Sequence, residues 1–210
     1  DHIAGHITVR QDDGTYLANP WELTWGEVTA SDILHLDQTG KVIEGEWNIT
    51  PAINLHMDLH AARHDVEVVI HNHPRWAGVW SAAGRIPPVY DQTSALVDSD
   101  PVLYDEYRGT VEDGELGRAV VNALGPNKWA LLANHGVLVV GNGIRQAHLR
   151  AITLEWRRRL AWHVEALGGG SPLPEQVVLA TGKRTDANGF PFLWEAMARE
   201  EIRRDPGVLE

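Results

Sequence analysis

The chain has 210 residues, 43% apolar and 22% charged. That balance suits one globular domain over 1–210 and excludes collagen, coiled coil and disordered chains. A formal net charge of −11 repels phosphate backbones and argues against nucleic acid as a partner. The absence of cysteine removes disulfides, thiolate metal sites and Cys nucleophiles.

No apolar run approaches the ~18–20 residues of a membrane span, and the expected location is the cytoplasm. The chain opens at Asp1 rather than Met, so a preceding segment is expected, and no secretory apolar stretch is visible. Gly5 to Arg10 reads as a strand, Asp12-Asp13-Gly14 as a hairpin turn, and Tyr16 to Asn19 as a second strand ended by Pro20. A short helix can start at Thr29-Ala30-Ser31-Asp32. Ile33 to Leu36 and Lys41 to Gly45 are strands around a Gln38-Thr39-Gly40 turn.

From Pro51 to His64 the period changes to helical, with Ile53, Met57 and Ala61 four apart. Val66 to His73 is a β-branched run stopped by Pro74. Trp76 to Ala83 reads as a helix ended by Gly84. Glu115 to Leu124 is an amphipathic helix with Leu116, Val120 and Leu124 in one row. Trp129 to Ala133 and Val137 to Val140 are apolar runs around Asn134-His135-Gly136. Ile144 to Leu167 is a long helix closed by three glycines, and a last helix is expected near Trp194 to Arg204. Strands and helices interleave without strict βαβ alternation. The expected fold is an α/β sandwich, a mixed sheet flanked by helices.

Eleven histidines without a cysteine point to a metal site of nitrogen and oxygen donors, and nine tryptophans to broad flat contact surfaces. The sharpest feature is Val68-Val69-Ile70-His71-Asn72-His73-Pro74. Residues two apart on a strand share a face about 6.6 Å apart, so His71 and His73 can take two corners of a metal site. Two histidines bonded to backbone at a strand end is the plainer alternative. His135 weighs against it: an imidazole in a tight turn between two buried strands needs a partner. Three neutral histidines with open positions describe a catalytic site rather than a closed structural one.

His71-Asn72-His73-Pro74 followed some sixty residues later by Ala133-Asn134-His135-Gly136 resembles the class II aldolase/adducin family. Gly5 to Arg10 looks like its opening strand, and Asn48 to His60 like the stretch before its His-x-His strand. The resemblance implies a three-layer α/β/α sandwich around a central mixed, mainly antiparallel sheet. It also implies a homotetramer and one divalent metal ion held by His71, His73 and His135. The sequence leaves Mn²⁺, Zn²⁺, Co²⁺ and Fe²⁺ open.

Sugar-phosphate aldolases of that family bind phosphate through Gly-Asn, Thr-Gly and Ser-Ser pairs. This chain has Gly5-His6, Trp21-Glu22 and Thr50-Pro51 at the matching places, and Ala52 where the family carries its catalytic Glu. A phosphorylated substrate is therefore not expected, and an alanine cannot take a proton from carbon. The substitutions look like the decarboxylase-like branch, as do Phe192-Leu193-Trp194, Met197 and Arg203-Arg204-Asp205-Pro206. An iron-oxygenase offshoot shares the fold. The resemblance thus implies a small-molecule carboxylate substrate and a lyase, a decarboxylase first. An iron oxygenase, an aldolase on a non-phosphorylated substrate and a non-catalytic adducin-like module are the alternatives.

Trp21, Trp25 and Trp47 are candidates for an aromatic-shaped pocket together with His6, each set against ordinary packing. His56 and His60 share a helix face, as outer partners of the site, a proton donor or a half-buried face. His64 falls in the same row at the helix end. Tyr90 or Asp91, after the Gly84 to Pro88 loop, is a candidate proton donor or a loop brace. Arg157-Arg158-Arg159 reads as a solvated or interface face, and Gly141-Asn142-Gly143 as a turn.

Overall fold

The computed structural model describes residues 4–106, 114–190 and 192–210. Its strands are β1 (His6–Arg10), β2 (Tyr16–Ala18), β3 (Leu34–Leu36), β4 (Val42–Glu44), β5 (Val68–Asn72), β6 (Val102–Tyr104), β7 (Trp129–Leu132) and β8 (Gly136–Gly141). Its helices are α1 (Ile53–Ala62), α2 (Arg75–Ala82), α3 (Gly114–Leu124), α4 (Ile144–Ala166), α5 (Glu175–Asp186) and α6 (Leu193–Arg204). The strands form one sheet in the order β4-β3-β2-β1-β5-β8-β7-β6. Every pairing is antiparallel except β6 with β7.

Strand β5 is apolar at successive positions because both of its faces are covered. Val68 and Ile70 enter a core with Ala77 and Trp80 of α2 and Ala147 and Leu154 of α4. Val69 enters a second core with Leu55 and Leu59 of α1 and Val120 and Leu124 of α3. A helical layer on each face makes this a three-layer α/β/α sandwich with a mixed, mainly antiparallel sheet, as expected. The side chain of Leu116 lies outside the described residues. No helix among the described residues is long and apolar enough to cross a membrane.

Four readings change. Helix α1 buries Leu55, His56, Leu59 and His60, while Ala61 is exposed: the helix wedges between two cores, so a single four-residue row did not mark its inner side. Strand β6 is only three residues long, and helix α5 is largely polar, so neither carried a periodic signal. Arg157 and Arg158 are buried, not solvated, and only Arg159 of the run is exposed. The Arg157 guanidinium donates to the carbonyls of Ser94, Val97 and Ser99 and lies over the Trp129 ring, so α4 clamps the segment that leads to β6. Trp47 belongs to a core with Tyr16 and Leu34, and its indole N–H donates to Asp32 at 2.8 Å, which takes it out of the aromatic pocket set.

Candidate metal centre

The site lies where three central strands meet at one end of the sheet. Strand β1 begins at His6, which pairs with His71 near the end of β5. His71 pairs in turn with Leu138 of β8, and the β7–β8 turn carries His135. Asn134 adopts a left-handed conformation (φ 56°) in that turn, a position that Asn tolerates better than most residues. Gly136 follows it, and a Cβ there would stand 2.5 Å from both the Asn72 carbonyl oxygen and Cδ2 of His73. The glycine lets the β8 backbone close against the His73 ring.

One ligating nitrogen from each of His71, His73 and His135 falls within 4.8 Å of the others. Ring centroids are 5.0 Å apart for His71–His73, 4.8 Å for His71–His135 and 5.1 Å for His73–His135. His71 is buried, and the other two are half-buried. Nδ1 of His71 lies 3.0 Å from the Val137 carbonyl. A carbonyl only accepts, so Nδ1 carries the proton and Nε2 keeps its lone pair for a ligand. Burial lowers the pKa of all three, so the rings are neutral at pH 7, the form a metal needs. The donor chemistry, the convergence and the fixed tautomer of His71 fit a divalent ion.

A second group of histidines backs the first. His6 lies 5.4 Å from the His71 ring and 5.8 Å from that of His56. The Thr50 hydroxyl accepts from the Ala52 amide at 3.2 Å and sits 2.8 Å from Nε2 of His6. A hydroxyl both donates and accepts, so this contact engages Nε2 in either tautomer and leaves Nδ1 as the other ring nitrogen. That nitrogen is buried and has no hydrogen-bond partner among the described residues. On the same face of β1, the Thr8 hydroxyl bridges Nδ1 of His56 (2.9 Å) and Nε2 of His60 (2.8 Å). Burial holds His6 and His60 at a pKa of about 4 and pushes His56 well below its ordinary value.

The other candidates are dispersed. Trp21 (41% exposed) is in ring contact with His6 at 5.8 Å, whereas Trp25 (37% exposed) lies over Gly5, whose Cβ would meet its ring at 2.4 Å. Tyr90 donates its hydroxyl proton to Glu165 of α4 at 2.7 Å, and Asp91 accepts the Ser94 amide at 2.9 Å. His64 is exposed beyond α1, whose C-cap is Arg63. Sequence reading gave Thr8 no role and took Thr50 only as a departure from the family's phosphate-binding pairs. The signal for Thr8 was available: it stands two residues after His6 on one strand, hence on the same face.

The sequence pattern of the family described as Class II Aldolase and Adducin N-terminal domain matches residues 1–162. The chain is 31% identical over 188 residues to 4-hydroxy-3-prenylphenylpyruvate oxygenase/4-hydroxy-3-prenylbenzoate synthase of Streptomyces roseochromogenus subsp. oscitans, covering 88% of this chain and 68% of that protein. It is 29% identical over 217 residues to decarboxylase NovR of Streptomyces niveus, covering 99% of this chain and 79% of that protein. Among solved structures, L-fuculose 1-phosphate aldolase from Glaciozyma antarctica PI12 superposes with a TM-score of 0.84 at 25% identity, covering 100% of this chain and 84% of that one. On sequence and on fold together, this chain belongs to the class II aldolase and adducin family.

Proposed function

We propose that the chain is a divalent-metal-dependent carbon–carbon lyase, and that it is a carboxy-lyase acting on a hydroxy- or keto-substituted carboxylate of aromatic character. One observation carries the reading: three convergent neutral imidazoles lie together at one end of the sheet, and the α1 N-cap, whose amide donates to the Thr50 hydroxyl against His6, is Ala52, which offers no carboxylate. His71, His73 and His135 would hold Mn²⁺, Zn²⁺, Co²⁺ or Fe²⁺. When bound, such an ion supplies Lewis-acid stabilisation of charge on a substrate oxygen, worth several kcal/mol.

The chain's own residues set what else is possible. Ala52 cannot remove a proton from carbon, so a reaction that begins by loss of CO₂ suits the site better than one that needs a carbon-acid base. Such a reaction needs only a proton returned to the product carbon. His6, neutral at pH 7, presents a buried Nδ1 with no partner among the described residues to a polar group of the substrate, and Trp21 supplies a flat apolar wall beside it. His56 stands behind His6, with its Nδ1 against the Thr8 hydroxyl that also meets His60. Tyr90 and Asp91 brace the loop through Glu165 and Ser94.

The Streptomyces decarboxylase supports a carboxy-lyase. The Streptomyces oxygenase/synthase supports a second reading, oxygen chemistry at the same three histidines with Fe²⁺. In either case the protein works as a cytoplasmic homotetramer. The test offers the metal-loaded enzyme ortho-hydroxy aromatic and 3-keto carboxylates in D₂O with an oxygen electrode in line. The expected result is CO₂ release with one solvent deuteron in the product and no oxygen uptake. Stoichiometric oxygen uptake would establish the second reading, and efficient cleavage of a sugar phosphate would contradict both.

A further inference from the structure

Helix α2 starts two residues after His73, with Pro74 as its N-cap. Proline has no side-chain acceptor, so the helix cannot cap itself there. The acceptor comes from α4 instead. The Trp76 amide donates to both carboxylate oxygens of Glu155, at 2.9 and 3.1 Å, and the Ala77 amide donates to Oε2 at 2.9 Å. A carboxylate at a helix N-terminus satisfies orphan amides and complements the helix dipole in one step.

The two helices are joined at further points. The Trp76 ring packs against Trp162 and His163, and the Trp80 indole donates to the Arg158 carbonyl at 2.9 Å. On its other flank the His73 ring closes on Gly136. A residue before proline is confined to extended backbone, and Pro74 itself is extended (φ −67°, ψ 144°). The His73-Pro74 link is therefore stiff, and the place of the His73 ring depends on where α2 begins.

We infer that Glu155 is a positioning residue for the metal centre: by holding the first turn of α2 it fixes the ring of His73. The inference rests on the metal reading of the triad and adds a residue outside it, carried on a different helix. Outer partners of metal ligands typically contribute about 10–100-fold to affinity, and an indirect one belongs at the low end.

The experiment titrates metal-free protein with Co²⁺ and follows the visible absorption of the bound ion. Glu155→Leu removes the acceptor, and Glu155→Gln keeps one carbonyl oxygen for the two amides. Asp32→Ala is the control, removing a carboxylate that accepts from the Thr29 amide and Trp47 away from the triad. Wild type is expected to bind one Co²⁺. Glu155→Leu should bind it about tenfold more weakly, Glu155→Gln within about threefold of wild type, and Asp32→Ala like wild type even where its melting temperature falls as far. Equal Co²⁺ affinity in wild type and both Glu155 variants would overturn the inference while leaving the metal reading intact. So would an equal loss in Asp32→Ala, which would reduce Glu155 to general stability. A wild type that binds no Co²⁺ would overturn the metal reading and this inference with it.

Discussion

Gly136 and His60 show how single residues serve the site in different ways. Gly136 contributes only by lacking a Cβ, since a methyl would meet the Asn72 carbonyl oxygen and the His73 ring at 2.5 Å. Gly136→Ala should therefore displace His73 and weaken metal binding at least tenfold, read by Co²⁺ titration, with helix content by circular dichroism unchanged. His60 contributes by remaining neutral. Its folded pKa of about 4 lies below the ordinary 6.5, chiefly because it is buried, with the Arg10 charge adding to the effect. Between those values the unfolded chain binds a proton that the folded chain does not, so this contribution is complete above pH 6.5 and is lost as pH falls toward 4. The loss is of order 3 kcal/mol by pH 4. Urea unfolding of the metal-free protein at pH 7, 5.5 and 4.5 should show a decline to which His6, His56 and His71 also contribute, and His60→Gln should make it shallower by the His60 share. An unchanged slope in the variant would remove His60 from the account.

At the scale of elements, α4 organises one face of the sheet through buried arginines as well as through Ala147, Leu154 and Ala161 in the core. Arg157 satisfies three carbonyls between α4 and β6, and Arg150 donates to both carboxylate oxygens of Asp186 at 2.7 Å. Burial brings Arg157 down to a pKa of about 10, so it stays charged at neutral pH. Arg157→Leu leaves those carbonyls unpaired and should destabilise the fold by roughly 3 kcal/mol or more. Arg157→Lys should recover little, because an ammonium lacks the planar fork. Midpoints of urea denaturation measure both.

These arginines also show why part of the fold escaped sequence reading. A run of three arginines on a helix looks like a solvated face, and only tertiary carbonyls reveal otherwise. β5, α2, α4 and the β7–β8 hairpin were legible because their apolar period and punctuation act within one segment. β6 and α5 were not: β6 exists by parallel pairing with β7, and α5 is held by Asp186 and by the close approach of Gly182 to Asp98.

At the scale of the whole molecule, the sheet brings together histidines separated by more than a hundred residues in sequence. The His71/His73 spacing was legible as a shared strand face, and His135 as a polar turn between buried strands. The His6–Thr50 and His56–Thr8–His60 links were not, because they depend on β1 lying beside β5 and beneath α1. Assembly belongs to this scale as well. The proposed homotetramer predicts that light scattering at micromolar concentration gives about four chain masses. A particle of 23.3 kDa would reject the tetramer.

The central claim is that His71, His73 and His135 hold one divalent ion, and metal content tests it most directly. Protein purified without chelator should carry one divalent metal per chain by elemental analysis. His73→Ala, folded by circular dichroism, should carry almost none. A His73→Ala protein that keeps its full complement of metal would place the site elsewhere and contradict the account.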